Sequence, residues 1–211
     1  WIVGLLFIFS GLIKANDPLG LSYKMQEFFE AWNLQGLHHY TLAASLGMNL
    51  LEVVAGVAII VGWQKKFFTW LLLLLIVFFT FLTSYVLFSG KIHACGCFGD
   101  CVPLTPIQTF TKDVILLVLS LFILLNLKKV TPIFSDKISS AIVLLSFLGV
   151  SFFQWYVLKY LPVKDCLPYA QGKNILEGMK LPPDAIPDVY SMVFKYKKDG
   201  KIVEFLDSVP E

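Results

Sequence analysis

Charge is scarce in this chain, and the scarcity excludes most of what a protein of its length can be. Of 211 residues only 15% are Asp, Glu, Lys or Arg, 57% are hydrophobic, and the mean hydropathy is +0.73. That is too apolar for an ordinary soluble domain, and several uncharged runs are long enough to cross a bilayer. The formal net charge is only +2, and the lysines fall at the ends of apolar runs instead of lining a stripe. No nucleic-acid partner is expected, and the lipid bilayer is the expected surrounding. A small-x-small cleavage pattern is also lacking: Ser10-Gly-Leu-Ile-Lys14 closes the first apolar run and more apolar helices follow. That run therefore reads as an uncleaved span, not a signal peptide. The chain has no initial methionine, and as a helix Trp1 to Ile13 would reach only about 20 Å across a hydrocarbon core of about 30 Å. We therefore expect a truncated N-terminus.

Asn16-Asp17-Pro18 is a helix-start signal, after which Leu21, Met25, Phe28, Phe29 and Trp32 recur at helical spacing opposite Lys24, Glu27 and Glu30. This predicts an amphipathic helix at the membrane interface, ending near Gly36. A second span runs from about Thr41 to Trp63 and, after a Gln64-Lys65-Lys66 turn, a third from Phe67 to Phe88. Thr105-Pro106-Ile107-Gln108 has capping-box spacing with proline at the first helical position, which starts the fourth span at Pro106 and carries it to Leu127. A fifth span covers about Ile138 to Leu161, stopped by Pro162. Val189 to Tyr196, the Lys198-Asp199-Gly200-Lys201 turn and Ile202 to Phe205 predict a β-hairpin, which is marginal alone and suggests a truncated domain.

The expected fold is thus an all-α integral membrane protein: a four-helix transmembrane bundle with an interfacial helix, a fifth span and a small β-hairpin-containing external tail. Residues 1–127 form the four-span core, with the interfacial helix at 18–36 and a cysteine loop at 89–104. Residues 128–161 hold a cytoplasmic loop and the fifth span, and 162–211 the tail. Lys65, Lys66, Lys128, Lys129 and Lys137 cluster at the same ends of the spans and assign those loops to the cytoplasm. The cysteine loop and the tail then face the periplasm of a bacterial inner membrane.

The chain has only four cysteines: Cys95, Cys97 and Cys101 in the run His93-Ala-Cys-Gly-Cys-Phe-Gly-Asp-Cys101, and Cys166 after the fifth span. Thiols on an oxidising face are oxidised, metal-bound or cycled. Four cysteines allow three full pairings, among which the sequence does not choose. A Cys95–Cys97 bridge closes a very small, reducible ring, and Cys97–Cys101 a slightly larger one. Either suits a catalytic pair with Cys166 or Cys101 as resolving thiol. A static disulfide tying the loop to the tail through Cys166 is the plainer reading. A metal site of His93, Cys95, Cys97 and Cys101 is a third, although two Cys-x-x-Cys knuckles are missing.

Through Cys95-Gly-Cys-Phe-Gly99, Ser10-Gly-Leu-Ile-Lys14 with Asp17-Pro18, and Glu52 with Gly56, residues 1–127 resemble the MauE and DoxX-like family of bacterial membrane proteins. The resemblance implies a four-helix membrane bundle doing redox work at the outer face of the inner membrane. MauE-type proteins are implicated in maturing a periplasmic, disulfide-rich dehydrogenase, and DoxX-type proteins are associated with quinone-linked oxidation and membrane oxidoreductase complexes. The fifth span and tail are similar to a longer DoxX-like subgroup, which implies a thioredoxin-like continuation. Ala94 stands where the pattern has an acidic residue, and Cys101 lies outside it, so the resemblance assigns no resting disulfide.

Glu52 falls midway along the second span with Asn49 one turn earlier, where an ionised acid costs a few kcal/mol unless protonated, paired or facing a cavity. Lys14 is its nearest candidate partner by topology, with snorkelling to the outer surface as the alternative. Glu52, Asn49 and Lys14 read as a proton or quinone site, or as hydrogen-bonded packing. Gly47, Gly56 and Gly62 read as helix-packing residues. Lys112 and Asp113, in the second turn of the fourth span, read as a local ion pair or as groups tuning the cysteine loop. The expected function is thiol–disulfide exchange, as a possible oxidoreductase: Cys97 attacks, Cys95 or Cys101 pairs with it, a quinone exchanges electrons, and a periplasmic thioredoxin-like or disulfide-bearing protein is the partner. The alternatives are a scaffold subunit of a larger envelope complex with structural disulfides, and a metal-binding membrane protein.

Overall fold

Asp17 and Pro18 break the N-terminal apolar stretch into two helices set at 94° to one another, α1 (Ile2–Asn16) and α2 (Pro18–Ala31). The Asp17 carboxylate accepts from the Gly20 amide at 2.9 Å and caps α2, with proline at its first position, where a missing N–H costs nothing. This architecture comes from a computed structural model, which describes residues 1–89, 101, 104–164, 166, 172, 174–179, 191–198 and 201–208. Four further long helices follow: α3 (Thr41–Val61), α4 (Lys65–Ser89), α5 (Pro106–Leu125) and α6 (Asp136–Tyr160). Each is long and apolar enough to cross a membrane, and the bent α1–α2 pair passes the same test as a fifth candidate. The protein is a multi-pass membrane protein whose membrane bundle is all-α.

The sequence predicts α2 as far as Gly36, yet it ends at Ala31. Asn33 turns left-handed at φ 57°, a conformation asparagine tolerates better than most residues, and a 3-10 turn over Gln35–Tyr40 then leads into α3. The capping box forms as its spacing predicts: the Gln108 amide donates to Thr105 Oγ1 at 3.3 Å and the Thr105 amide to Gln108 Oε1 at 3.0 Å.

At the centre stands α3, with α1, α2, α4 and α6 packed around it. Its tightest neighbour is α1, antiparallel to it. A Cβ on Gly56 would lie 2.7 Å from the Gly4 carbonyl oxygen, and one on Gly4 would lie 2.8 Å from the Gly56 carbonyl, so the two backbones touch where only glycine fits. Gly56 thus packs as predicted, whereas nothing lies within 4 Å of a Cβ on Gly47, and Gly62 is the left-handed cap of α3 at φ 77°. One face of α4 is buried through Phe68, Leu72, Leu75, Ile76, Phe79, Leu82 and Val86, while Phe67, Trp70, Leu74, Phe78 and Phe81 stay exposed, the apolar outer surface a lipid-facing helix needs.

At the lysine-rich end Lys65 Nζ donates to the Val130 carbonyl at 2.7 Å and the Ile133 amide to the Val61 carbonyl at 3.2 Å. The α3–α4 turn and the α5–α6 loop therefore share one end of the bundle. Residues Trp1–Ala170 form one unit, and Gln171–Glu211 a second. The second holds a short helix α7 (Ile175–Gly178) and an antiparallel hairpin of β1 (Ser191–Lys198) and β2 (Lys201–Ser208), paired from Ser191 opposite Ser208 to Lys198 opposite Lys201. That register fits the predicted two-residue turn, whose Asp199 and Gly200 lie outside the described residues.

Because Gly56 meets backbone, a larger side chain there cannot be relieved by a rotamer change. Gly56→Leu is expected to cost at least about 1–3 kcal/mol, read as a lower midpoint of denaturation in detergent, while Gly47→Leu leaves the midpoint close to wild type.

Candidate functional site

Thr41, Ser45, Asn49 and Glu52 follow one another at intervals of four, four and three residues, which puts all four on one face of α3. All four are buried, so a polar seam runs from the start of α3 to its middle inside an apolar bundle. A buried polar group without a partner costs several kcal/mol in such surroundings, and other elements supply partners. Ser22 of α2 donates to Thr41 Oγ1 at 2.9 Å, and Ser45 donates to the Pro18 carbonyl at 2.7 Å. Asn49 donates to Gln154 Oε1 of α6 at 3.3 Å, and Gln154 donates in turn to the Leu46 carbonyl at 3.3 Å.

At the deep end of the seam Glu52 forms a buried ion pair with Lys14 of α1, whose side chains are 1% and 2% exposed. The snorkelling alternative for Lys14 is thereby corrected: α1 lies so close to α3 that the ammonium reaches the carboxylate within the bundle. Ser10, one turn before Lys14, also bonds the Glu52 carboxylate, and the ammonium lies 4.3 Å from the centre of the Phe79 ring on α4.

Beside this pair lies a cavity of about 20 Å³ lined by Ser10, Lys14, Glu52, Phe79, Lys112 and Asp113, among others. Lys112 Nζ sits 2.9 Å from Asp113 Oδ1, the local ion pair that their spacing allows, and Asp113 is 1% exposed. Two ion pairs from α1, α3 and α5 thus share one cavity. Its volume is enough for about one water.

The cysteines divide. Cys101 and Cys166 form a disulfide with Cα atoms 4.8 Å apart, bridging 65 positions of sequence. Among the pairings left open by the sequence, this is the link from the loop to the tail. His93, Cys95 and Cys97 lie outside the described residues. With its sulfur bonded to Cys166, Cys101 is no thiolate ligand, so the fourth member of the expected metal set is committed elsewhere in this state. Two residues before Cys166, the Lys164 backbone is gripped by Asn16 at the end of α1, which donates to its carbonyl at 2.7 Å and accepts from its amide at 3.2 Å. The disulfide and the Lys14–Glu52 pair are therefore linked through the last turn of α1.

Sequence reasoning singled out Lys14, Asn49, Glu52, Cys101 and Cys166, whose contacts the structure describes, but missed Gln154, Asn16 and Ser10. Gln154 carried a usable signal, a lone amide inside an apolar span. Asn16 did not, because its role depends on a segment 148 positions away.

A bundle of membrane-crossing helices around a buried charged seam, with a disulfide at one end, defines the class as a multi-pass membrane protein. The family described as methylamine utilisation protein MauE matches residues 1–126, more than half of the 211, and the chain belongs to that family. Among curated proteins it is similar to Protein TlpB of Flavobacterium psychrophilum, 29% identical over 134 residues, which covers 61% of this chain and 36% of that protein. The chain thus spans about a third of that relative's length. No solved structure matches the chain.

Removing one member of the Lys14–Glu52 pair leaves a buried, uncompensated charge, so Lys14→Met or Glu52→Gln is expected to destabilise by about 3–5 kcal/mol. The double variant should recover much of that loss. A double-mutant cycle on detergent-solubilised protein measures the coupling, and strict additivity would show that the pair does not act as a unit.

Proposed function

We propose that this chain is a thiol–disulfide exchange protein of a bacterial inner membrane, acting at the periplasmic face. The observation that carries the reading is the Cys101–Cys166 disulfide together with its position: it follows α6, which starts from the lysine-rich loop, and so lies at the opposite end of the bundle. Disulfides persist in oxidising compartments and lysines concentrate on the cytoplasmic side, and these independent signals support the same orientation. With Cys101 and Cys166 joined, Cys95 and Cys97 are the remaining cysteines of the sequence, and we assign the exchange to them.

In the proposed step the Cys97 thiolate attacks one sulfur of a partner's disulfide, and the other sulfur leaves as a thiolate that takes a proton. Cys95 then attacks Cys97, releasing the partner's second thiol. The partner gains two electrons and the Cys95/Cys97 pair closes; run backwards, the same steps oxidise a partner dithiol. A periplasmic thioredoxin-like or disulfide-bearing protein is the expected partner. The family's description as methylamine utilisation proteins supports a client among the enzymes of that process. The one-water cavity supports a proton-handling role for Glu52 and Lys14, and the exchange is proposed without a quinone step. One observation favours the scaffold reading instead: the Cys101–Cys166 bridge itself ties two parts of the bundle, as a structural staple would.

Replacing Cys95 and Cys97 by serine should abolish capture of a partner in a mixed disulfide, seen as loss of a reductant-sensitive adduct on non-reducing gels. Cysteine mapping by mass spectrometry should still find Cys101 joined to Cys166. Capture that persists in the double variant would sink the proposal.

A further inference from the structure

The helices are held together unevenly. α1, α2 and α6 pack on α3, whereas α5 packs along α4 and meets α1 only sparsely, so α4 and α5 form a pair; α4 carries it on α3 and, towards the cysteine end, on Phe28 and Trp32 at the end of α2, against which Phe81 and Tyr85 pack. At the lysine-rich end this pair is joined to the rest by both chain connections, reinforced by the Lys65–Val130 and Ile133–Val61 hydrogen bonds. At the opposite end the segment linking α4 to α5 belongs to the pair itself, and among the described residues the covalent tie to the rest is the Cys101–Cys166 disulfide. Cys166 follows a segment anchored on α1 by the two Asn16–Lys164 hydrogen bonds.

Between these two parts lies the charged cavity. Lys14 and Glu52 face it from α1 and α3, and Phe79, Lys112 and Asp113 from α4 and α5. Asp113 Oδ2 is buried without a hydrogen-bond partner among the described residues, although it lines a space large enough for a water. The cavity therefore lies on the seam between two parts hinged at one end and bolted by sulfur at the other.

The geometry points to a redox latch: reduction of Cys101–Cys166 frees the cysteine end of α5 and opens the cavity at Lys14, Glu52, Lys112 and Asp113 to water and small polar ligands. With the bridge closed the cavity admits about one water. The reductant is a dithiol. One of its thiolates attacks a sulfur of the bridge, the other sulfur leaves and is protonated, and the donor's second thiol resolves the mixed disulfide. Two electrons pass to Cys101 and Cys166, and the donor closes its own disulfide. Opening separates surfaces that are sparsely packed at α1 and α5, and it gives Asp113 Oδ2 a partner. The latch does not depend on exchange at Cys95 and Cys97, so the two ideas fail separately.

The full chain in native membranes provides the test, with a water-soluble carbodiimide and glycine ethyl ester as the probe of water-accessible carboxyl groups and dithiothreitol as the dithiol. Labelling of Glu52 and Asp113, read by mass spectrometry, is expected to be low in the oxidised protein and to rise severalfold on reduction. The same rise should appear without reductant in Cys101→Ser/Cys166→Ser, and the reductant response should survive in Cys95→Ser/Cys97→Ser. Hydrogen exchange should show the first turns of α5 losing protection on reduction while α1 and the middle of α3 keep theirs. Equal labelling with the bridge intact and broken, a bridge that resists the dithiol, or a uniform loss of protection would each overturn the latch. Should the cysteine double variant fail to insert, reduction of the wild-type protein decides alone.

Discussion

The buried Lys14–Glu52 pair is the constraint on which the rest of the bundle depends. Charges in a hydrocarbon interior are tolerated only when neutralised and hydrogen-bonded, and here each charge comes from a different helix. Lys14 can reach Glu52 within the bundle only if α1 lies against α3, and α1 can lie there only because Gly4 and Gly56 leave room for the two backbones. The seam above it follows from the same closeness: Thr41 and Ser45 meet α2 because the chain turns by 94° immediately after α1 and brings Ser22 and Pro18 back over the start of α3. Electrostatics, small residues and the bend are thus one device.

The two ends of the bundle are built from different chemistry. At one end a lysine and backbone groups hold the turns together by hydrogen bonds, as Lys65 does with Val130 and Ile133 with Val61. At the other, a covalent bond and the paired Asn16–Lys164 hydrogen bonds fasten the chain. Thiolates need water and collision partners, while a charged cavity needs shelter from both, and the last turn of α1 separates the two environments by only a few residues.

Much of this was legible in the sequence because membranes impose simple periodicities. The long apolar runs gave the helices, Asp17-Pro18 and Thr105-Pro106-Ile107-Gln108 gave two helix starts, and an acid in mid-span marked Glu52 as exceptional. Lys14 was harder, because a lysine near the end of an apolar run fits an interfacial position equally well, and only the glycine-mediated approach of α1 to α3 decides between them. Gly47 and Gly62 show the same limit: a glycine in a span looks alike whether it packs, caps or does neither. The pairing of Cys101 with Cys166 and the grip of Asn16 on Lys164 lay beyond local pattern, since each joins positions far apart in the chain. Gln154 was visible as an anomaly but not as the partner of Asn49, for which the placement of α6 against α3 was needed.

The 65 positions between the bridged sulfurs contain two complete helices, α5 and α6. Two crossings return the chain to the side it left; had one of them failed to insert, the sulfurs would be separated by a hydrocarbon core of about 30 Å, far beyond the reach of a disulfide. The bond is consequently a record of biogenesis: it can close only after α5 and α6 have both been threaded in the correct direction, so each bridged molecule certifies the topology of that stretch.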